Sequence, residues 1–70
     1  MSIEKQGNKK LVHMLPAAYA AKIISDNEGN AHAATLYFFD QMKAGVYINS
    51  SEWLAAVAVR LFAEVAAKAI

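Results

Sequence analysis

The longest stretch free of helix breakers runs from Ser50 to Ile70, SSEWLAAVAVRLFAEVAAKAI, and it is apolar on nearly every side. At about 100° per residue, Arg60, Glu64 and Lys68 fall in one stripe spaced four apart. Leu54, Ala58, Leu61, Phe62 and Val65 form a broad apolar face turned away from it. Trp53 and Val57 project on the side of the charged stripe, one to two turns earlier, and Ala55 and Val59 fill the remaining flank. A surface helix needs only one apolar stripe. The pattern therefore predicts a buried helix, covered by the rest of its own chain, by a second chain, or by both.

The start of this helix is marked three times. Asn49 suits an N-cap, because its short side chain can accept a bond from a free amide of the first turn. Glu52 then has capping-box spacing, and Ile48 with Trp53 has the spacing of a hydrophobic staple. Lys68 in the last turn complements the negative end of the helix dipole.

Two shorter helices are predicted upstream. The first spans about 16 to 26, with Pro16 near its first position and Tyr19, Ala20 and Ile23 facing inward. The run Asp26 to Asn30 breaks it, Gly29 suiting a left-handed C-terminal position and Asn30 the next N-cap. The second spans about 31 to 43, where Ala31, Thr35, Phe38, Phe39 and Met42 keep helical spacing. Gly45 ends it. Leu36 and Tyr37 fall outside the centre of that stripe. Val46, Tyr47 and Ile48 read as an extended connector. Residues 11–14 read either as an extra helical turn or as a short strand, in which case they pair with 46–48 as a two-stranded ribbon. The expected fold is all-α: a three-helix bundle, with residues 1–9 a flexible polar arm and 10–70 a single helical domain.

Composition sharpens this picture. A chain of 70 residues buries only about 60% of its unfolded surface, and without cysteine it has no disulfide to compensate. Small chains without such staples gain stability by associating. The hydrophobic fraction is 57%, and alanine alone supplies fifteen residues. Formal net charge is +1, too mild to imply a nucleic-acid partner by itself. No secretory signal is visible in the polar opening MSIEKQGNKK, and Glu52, Arg60, Glu64 and Lys68 argue against a membrane span in the last helix. A reducing cytosol is the expected location.

Chemistry is sparse. Counting back from Gly29 places Ile24 at the first position of a calcium loop, so the EF-hand register fails. Glu28 and His32 are four apart, but Gly29 and Asn30 interrupt the helix that would align them. His13 and His32 read as packed or surface side chains. Ser50 and Ser51 read as first-turn residues, and three isolated glycines make no phosphate loop. No catalytic residue, cofactor or metal site is expected, and the protein is not expected to be an enzyme.

The leading expectation is a small protein–protein interaction module: a binder, adaptor or inhibitor of a larger protein, and a self-associating homo-oligomer. Its expected interface is Leu36, Tyr37, Trp53, Val57 and Arg60. The alternative is a nucleic-acid-associated regulator touching phosphates through Lys5, Lys9 and Lys10, with Lys22 in support. An amphipathic membrane-surface peptide is a third reading.

Overall fold

A computed structural model describes residues 9–69. Three helices follow in order: α1, Pro16–Asp26; α2, Ala31–Lys43; α3, Ser51–Lys68. Each packs against the other two, which makes a small all-α bundle. With 18 residues α3 is the longest, and it carries the contacts of both shorter helices. No described helix is long and apolar enough to cross a membrane.

The helix boundaries follow local chemistry. Leu15 is extended, with φ −64° and ψ 150°, as a residue before proline must be. Pro16 then opens α1 without losing an amide bond that the first turn would have used. At the other end Asn27 and Gly29 donate their amides back to Ile24, the latter at 2.8 Å. Gly29 takes φ 80°, the left-handed conformation predicted for it. Glu28 also has positive φ, 61°, a less favourable conformation for a residue with a Cβ. The Asn30 side chain caps α2 by accepting from the Ala33 amide at 3.0 Å.

The cap of α3 differs from expectation. Ser50, not Asn49, is the N-cap, accepting from the Trp53 amide at 3.1 Å. The helix begins one residue later, so Glu52 loses capping-box register, and Ile48 stays 57% exposed rather than stapling to Trp53. Asn49 is engaged elsewhere. Its Oδ1 accepts from the Val12 amide at 2.9 Å, and its Nδ2 donates to the Val12 carbonyl at 3.0 Å. One side-chain amide thus satisfies both backbone groups of a residue 37 positions earlier.

That pairing anchors the segment before Pro16. Its partner 46–48 meets it through a single parallel bridge between Lys10 and Tyr47. The Lys10 amide donates to the Val46 carbonyl at 2.8 Å, and the Ile48 amide donates to the Lys10 carbonyl at 2.9 Å. Of the two alternatives for residues 11–14, neither an extra helical turn nor a two-stranded ribbon with 46–48 forms: one bridge at residue 10 stands in place of the ribbon, and the described residues contain no strand. Side chains replace the ladder further along: Asn49 holds Val12, and the Trp53 indole donates to the Met14 carbonyl at 2.8 Å.

Two substitutions separate these roles. Ser50→Ala removes a cap and is expected to cost about 0.5–2 kcal/mol. Asn49→Ala leaves a part-buried amide and carbonyl without partners and is expected to cost at least as much, about 1–3 kcal/mol. Urea unfolding compares them. An Asn49→Ala protein as stable as the unsubstituted chain would contradict the anchoring role.

The core is centred on Phe38, Val57 and Leu61, all fully buried. Ala20 and Ala34 are equally inaccessible, their small side chains letting helices approach closely. An aromatic cluster closes one end. Tyr19 meets Tyr47 edge-on at 5.9 Å and lies 5.3 Å from Trp53, while Phe38 lies 5.3 Å from Tyr47. Stacking of this kind adds to simple area burial. The Tyr19 and Tyr47 hydroxyls share a hydrogen bond at 2.8 Å. No buried side-chain nitrogen or oxygen among the described residues lacks a partner.

Burial, and then the Tyr19 hydroxyl, push the Tyr47 phenol well above its ordinary pKa. The native state therefore favours the protonated form. This contribution is complete below the unfolded value, about 10, and is lost as pH rises from there toward the folded value. Tyr47 is expected to ionise only together with unfolding. Tyrosinate absorbance of the unsubstituted chain and of Tyr47→Phe, followed alongside circular dichroism, checks this, and a tyrosinate signal assigned to Tyr47 in a fully helical protein would contradict it.

Candidate protein-interaction surface

The bundle covers one side of α3 and leaves the opposite side open. Val57 and Leu61 point into the core, while Leu54, Ala58 and Val65 are half-buried. Val59 is 66% exposed and Phe62 53% exposed. Between and around them Ala55, Ala56, Ala63 and Ala66 also face outward. Val59 and Phe62 are thus exposed large apolar side chains on α3, on a different flank from Trp53 and Val57.

Phe62 carries this face across to α2. Its ring stacks on Phe39 at 5.6 Å with 30° between planes. Phe39 is half-buried, and Leu36, one turn earlier, is 60% exposed. Leu36, Tyr37 and Phe39 line a shallow hollow of ≈ 490 Å³, with Asp40 and Lys43 at its edge. Phe62, Phe39 and Leu36 thus form an apolar band over the outer side of α2 and α3, and Val59, one turn before Phe62, extends it toward a hollow that Val59 lines with Pro16 and Ala17 of α1.

The predicted interface residues divide in two. Leu36 and Tyr37 lie at this band and are exposed. Arg60 is exposed but sits on the other flank of α3, where Arg60, Glu64 and Glu28 edge a groove of ≈ 580 Å³ floored by Ala17, Ala21 and Ile24 of α1. Trp53 and Val57 are covered within the chain. Val57 has no accessible surface, and Trp53 is held by Met14 and by the rings of Tyr19 and Tyr47. Their expected place in an interface is thus not available to a partner, because the segment before Pro16 joins α1 and α2 in covering this part of α3.

The basic residues are placed as follows. Lys9 donates to the Gly45 carbonyl at 2.9 Å, and the Lys10 ammonium lies 5.4 Å from the centre of the Tyr47 ring. Lys5 lies outside the described residues. Lys22 pairs with Asp26 on the surface of α1 at 2.7 Å, which raises its pKa. Lys68 donates to the Gly29 carbonyl at 2.9 Å and ties the end of α3 to the turn between α1 and α2. Among the described residues no three acidic or histidine side chains come together in a way that suits a metal ion.

Val59, Phe62 and Phe39 were not singled out by sequence reasoning as surface residues. Phe62 and Phe39 keep helical spacing with core positions, yet the two rings stack on each other beside the core, with Phe62 exposed and Phe39 half-buried. The available signal was arithmetic: α3 has more apolar faces than two short helices and one segment can cover. No protein-family model, curated protein or solved structure matches this chain.

Proposed function

We propose that the protein is a small protein–protein interaction module, a binder, adaptor or inhibitor of a larger protein, which docks through the band formed by Leu36, Phe39, Val59 and Phe62. The observation that carries this reading is the continuous run of exposed large apolar side chains across two helices. Contiguous apolar patches rimmed by polar residues mark interaction sites, and aromatic side chains are enriched in the cores of such interfaces. The nucleic-acid reading gains no comparable support, because Lys9 and Lys10 are engaged with Gly45 and Tyr47.

The test is photo-crosslinking in extract of the source cells, with a photoreactive residue placed at position 59, at position 36, or at the exposed Ala18 on α1. Positions 59 and 36 are expected to form adducts with the same protein, and position 18 to form none. The absence of adducts from 59 and 36, or equal labelling from 18, would overturn the proposal.

A further inference from the structure

We infer that residues 10–15 fill, from within the same chain, a groove that recognises extended peptide, and that the groove takes in exchange an extended segment of another protein with apolar side chains two residues apart. The groove is formed by the connector 46–49, Tyr19 of α1 and Trp53 of α3. It shares no residue with the band of Leu36, Phe39, Val59 and Phe62 and does not rest on the reading of that band. Three observations carry it.

The first is what the groove reads. Five hydrogen bonds join it to residues 10–15, and all five end on their backbone. The Val46 carbonyl and the Ile48 amide hold the amide and carbonyl of Lys10. The Asn49 side chain holds both backbone groups of Val12, and the Trp53 indole donates to the Met14 carbonyl. Two side chains of the groove thus continue what a neighbouring strand begins. Among the described residues, no side chain of 10–15 makes a hydrogen bond to the groove. The recognition is therefore of extended main chain, and a different sequence satisfies it equally.

The second is alternation. Val12 and Met14 are half-buried and pack against the core, while Leu11, His13 and Leu15 are exposed. This is the period of an extended chain, yet only one bridge, Lys10 to Tyr47, pairs the segment with another. Main-chain bonds for affinity and pockets for alternate side chains are how domains bind a peptide as an added strand. The occupant must present free amides at the positions of Lys10 and Val12, and apolar side chains at those of Val12 and Met14.

The third is attachment. Within the described residues the segment continues into the bundle only at Pro16, and it supplies neither a helix nor a fully buried core residue. In place, it bars a partner from Trp53. Released, it leaves the packing of the three helices on one another intact. A short tether holds such a segment at an effective concentration of about millimolar. A free segment of equal fit therefore competes only near that concentration, and one of better fit competes below it.

Trp53 is the single tryptophan of the chain, so its indole resonance reports the groove. The test titrates the full chain with the synthetic peptide KKLVHML, the sequence of residues 9–15. Two variants release the tethered segment. Val12→Asp combined with Met14→Asp places carboxylates where apolar side chains pack, and Val12→Pro removes the amide that donates to Asn49. Both variants are expected to keep their helicity by circular dichroism and to shift the indole signal. The peptide is expected to return that signal to its position in the unsubstituted chain, and to half-saturate the variants at a concentration about tenfold or more below that for the unsubstituted chain. Asn49→Ala added to either variant is expected to weaken the peptide about tenfold or more, and a peptide carrying Val12→Asp and Met14→Asp is expected not to bind. Loss of helicity in both variants would make the segment part of the fold and overturn the inference. An indole signal unmoved in both variants, a signal that the two peptides restore equally or not at all, or equal binding to the unsubstituted chain would also overturn it.

Discussion

Phe38→Ala is expected to leave the chain largely unfolded at room temperature. Phe38 is the largest fully buried side chain, and its ring joins α2 to Tyr47 in the connector before α3. Removing a buried phenylalanine side chain costs about 3–5 kcal/mol, the sum of lost transfer energy and the cavity left behind. A domain of this length has a total stability of about 4–10 kcal/mol, from the usual margin per residue. The loss therefore consumes most of that margin. Relaxation offers little relief, because Ala20 and Ala34 are already at close approach and the helices cannot move much nearer. Circular dichroism in a urea series reads the effect. A stability change under about 1 kcal/mol would place Phe38 outside the core.

Val57→Glu is expected to abolish folding, whereas Val59→Glu, two residues away, preserves it. Val57 has no accessible surface and lies in the core cluster with Ile23, Phe38 and Leu61, so a carboxylate there must be desolvated among apolar side chains. Burying an unpaired charge costs several kcal/mol, or forces the acid to stay protonated. Protonation does not rescue the fold, since the neutral acid is still a polar group without a hydrogen bond. Val59 is 66% exposed, and a carboxylate there remains in water. The contrast reverses the reading the sequence invites, in which a charge at position 57 splits an interface and leaves a folded monomer. Thermal unfolding of the two variants measures it. Equal helicity in both would show that α3 is rotated relative to the bundle described.

Much of the fold was legible in the sequence because its signals are local. Pro16, Gly29, Asn30 and Gly45 act within one or two turns, and they bound α1 and α2 where predicted. The inward placement of Tyr19, Ala20 and Ile23 follows from helical spacing alone. The misassigned cap at α3 has a different origin. Asn49 and Ser50 are both competent caps, and local chemistry does not choose between them. The choice is made by Val12, a residue 37 positions away whose backbone needs both a donor and an acceptor. Asparagine offers both from one side chain, and serine does not do so at that reach.

The candidate surface was legible only as a surplus. Periodicity shows that α3 has apolar residues on every side, but it does not say which side the chain covers. That depends on the segment before Pro16, which has no helical or strand period of its own. Its position is fixed by the Lys10 bridge, the Asn49 amide and the Trp53 indole. Once it lies over Trp53, the uncovered flank is that of Val59 and Phe62.

The most direct test of this account is side-chain nuclear magnetic resonance on labelled protein with a soluble paramagnetic agent added. Strong broadening is expected at Val59 and Phe62 of α3 and at Leu36 of α2, while Val57, Leu61 and Phe38 stay protected. Strong broadening at Val57 and Leu61, or protection of Val59 and Phe62, would contradict it.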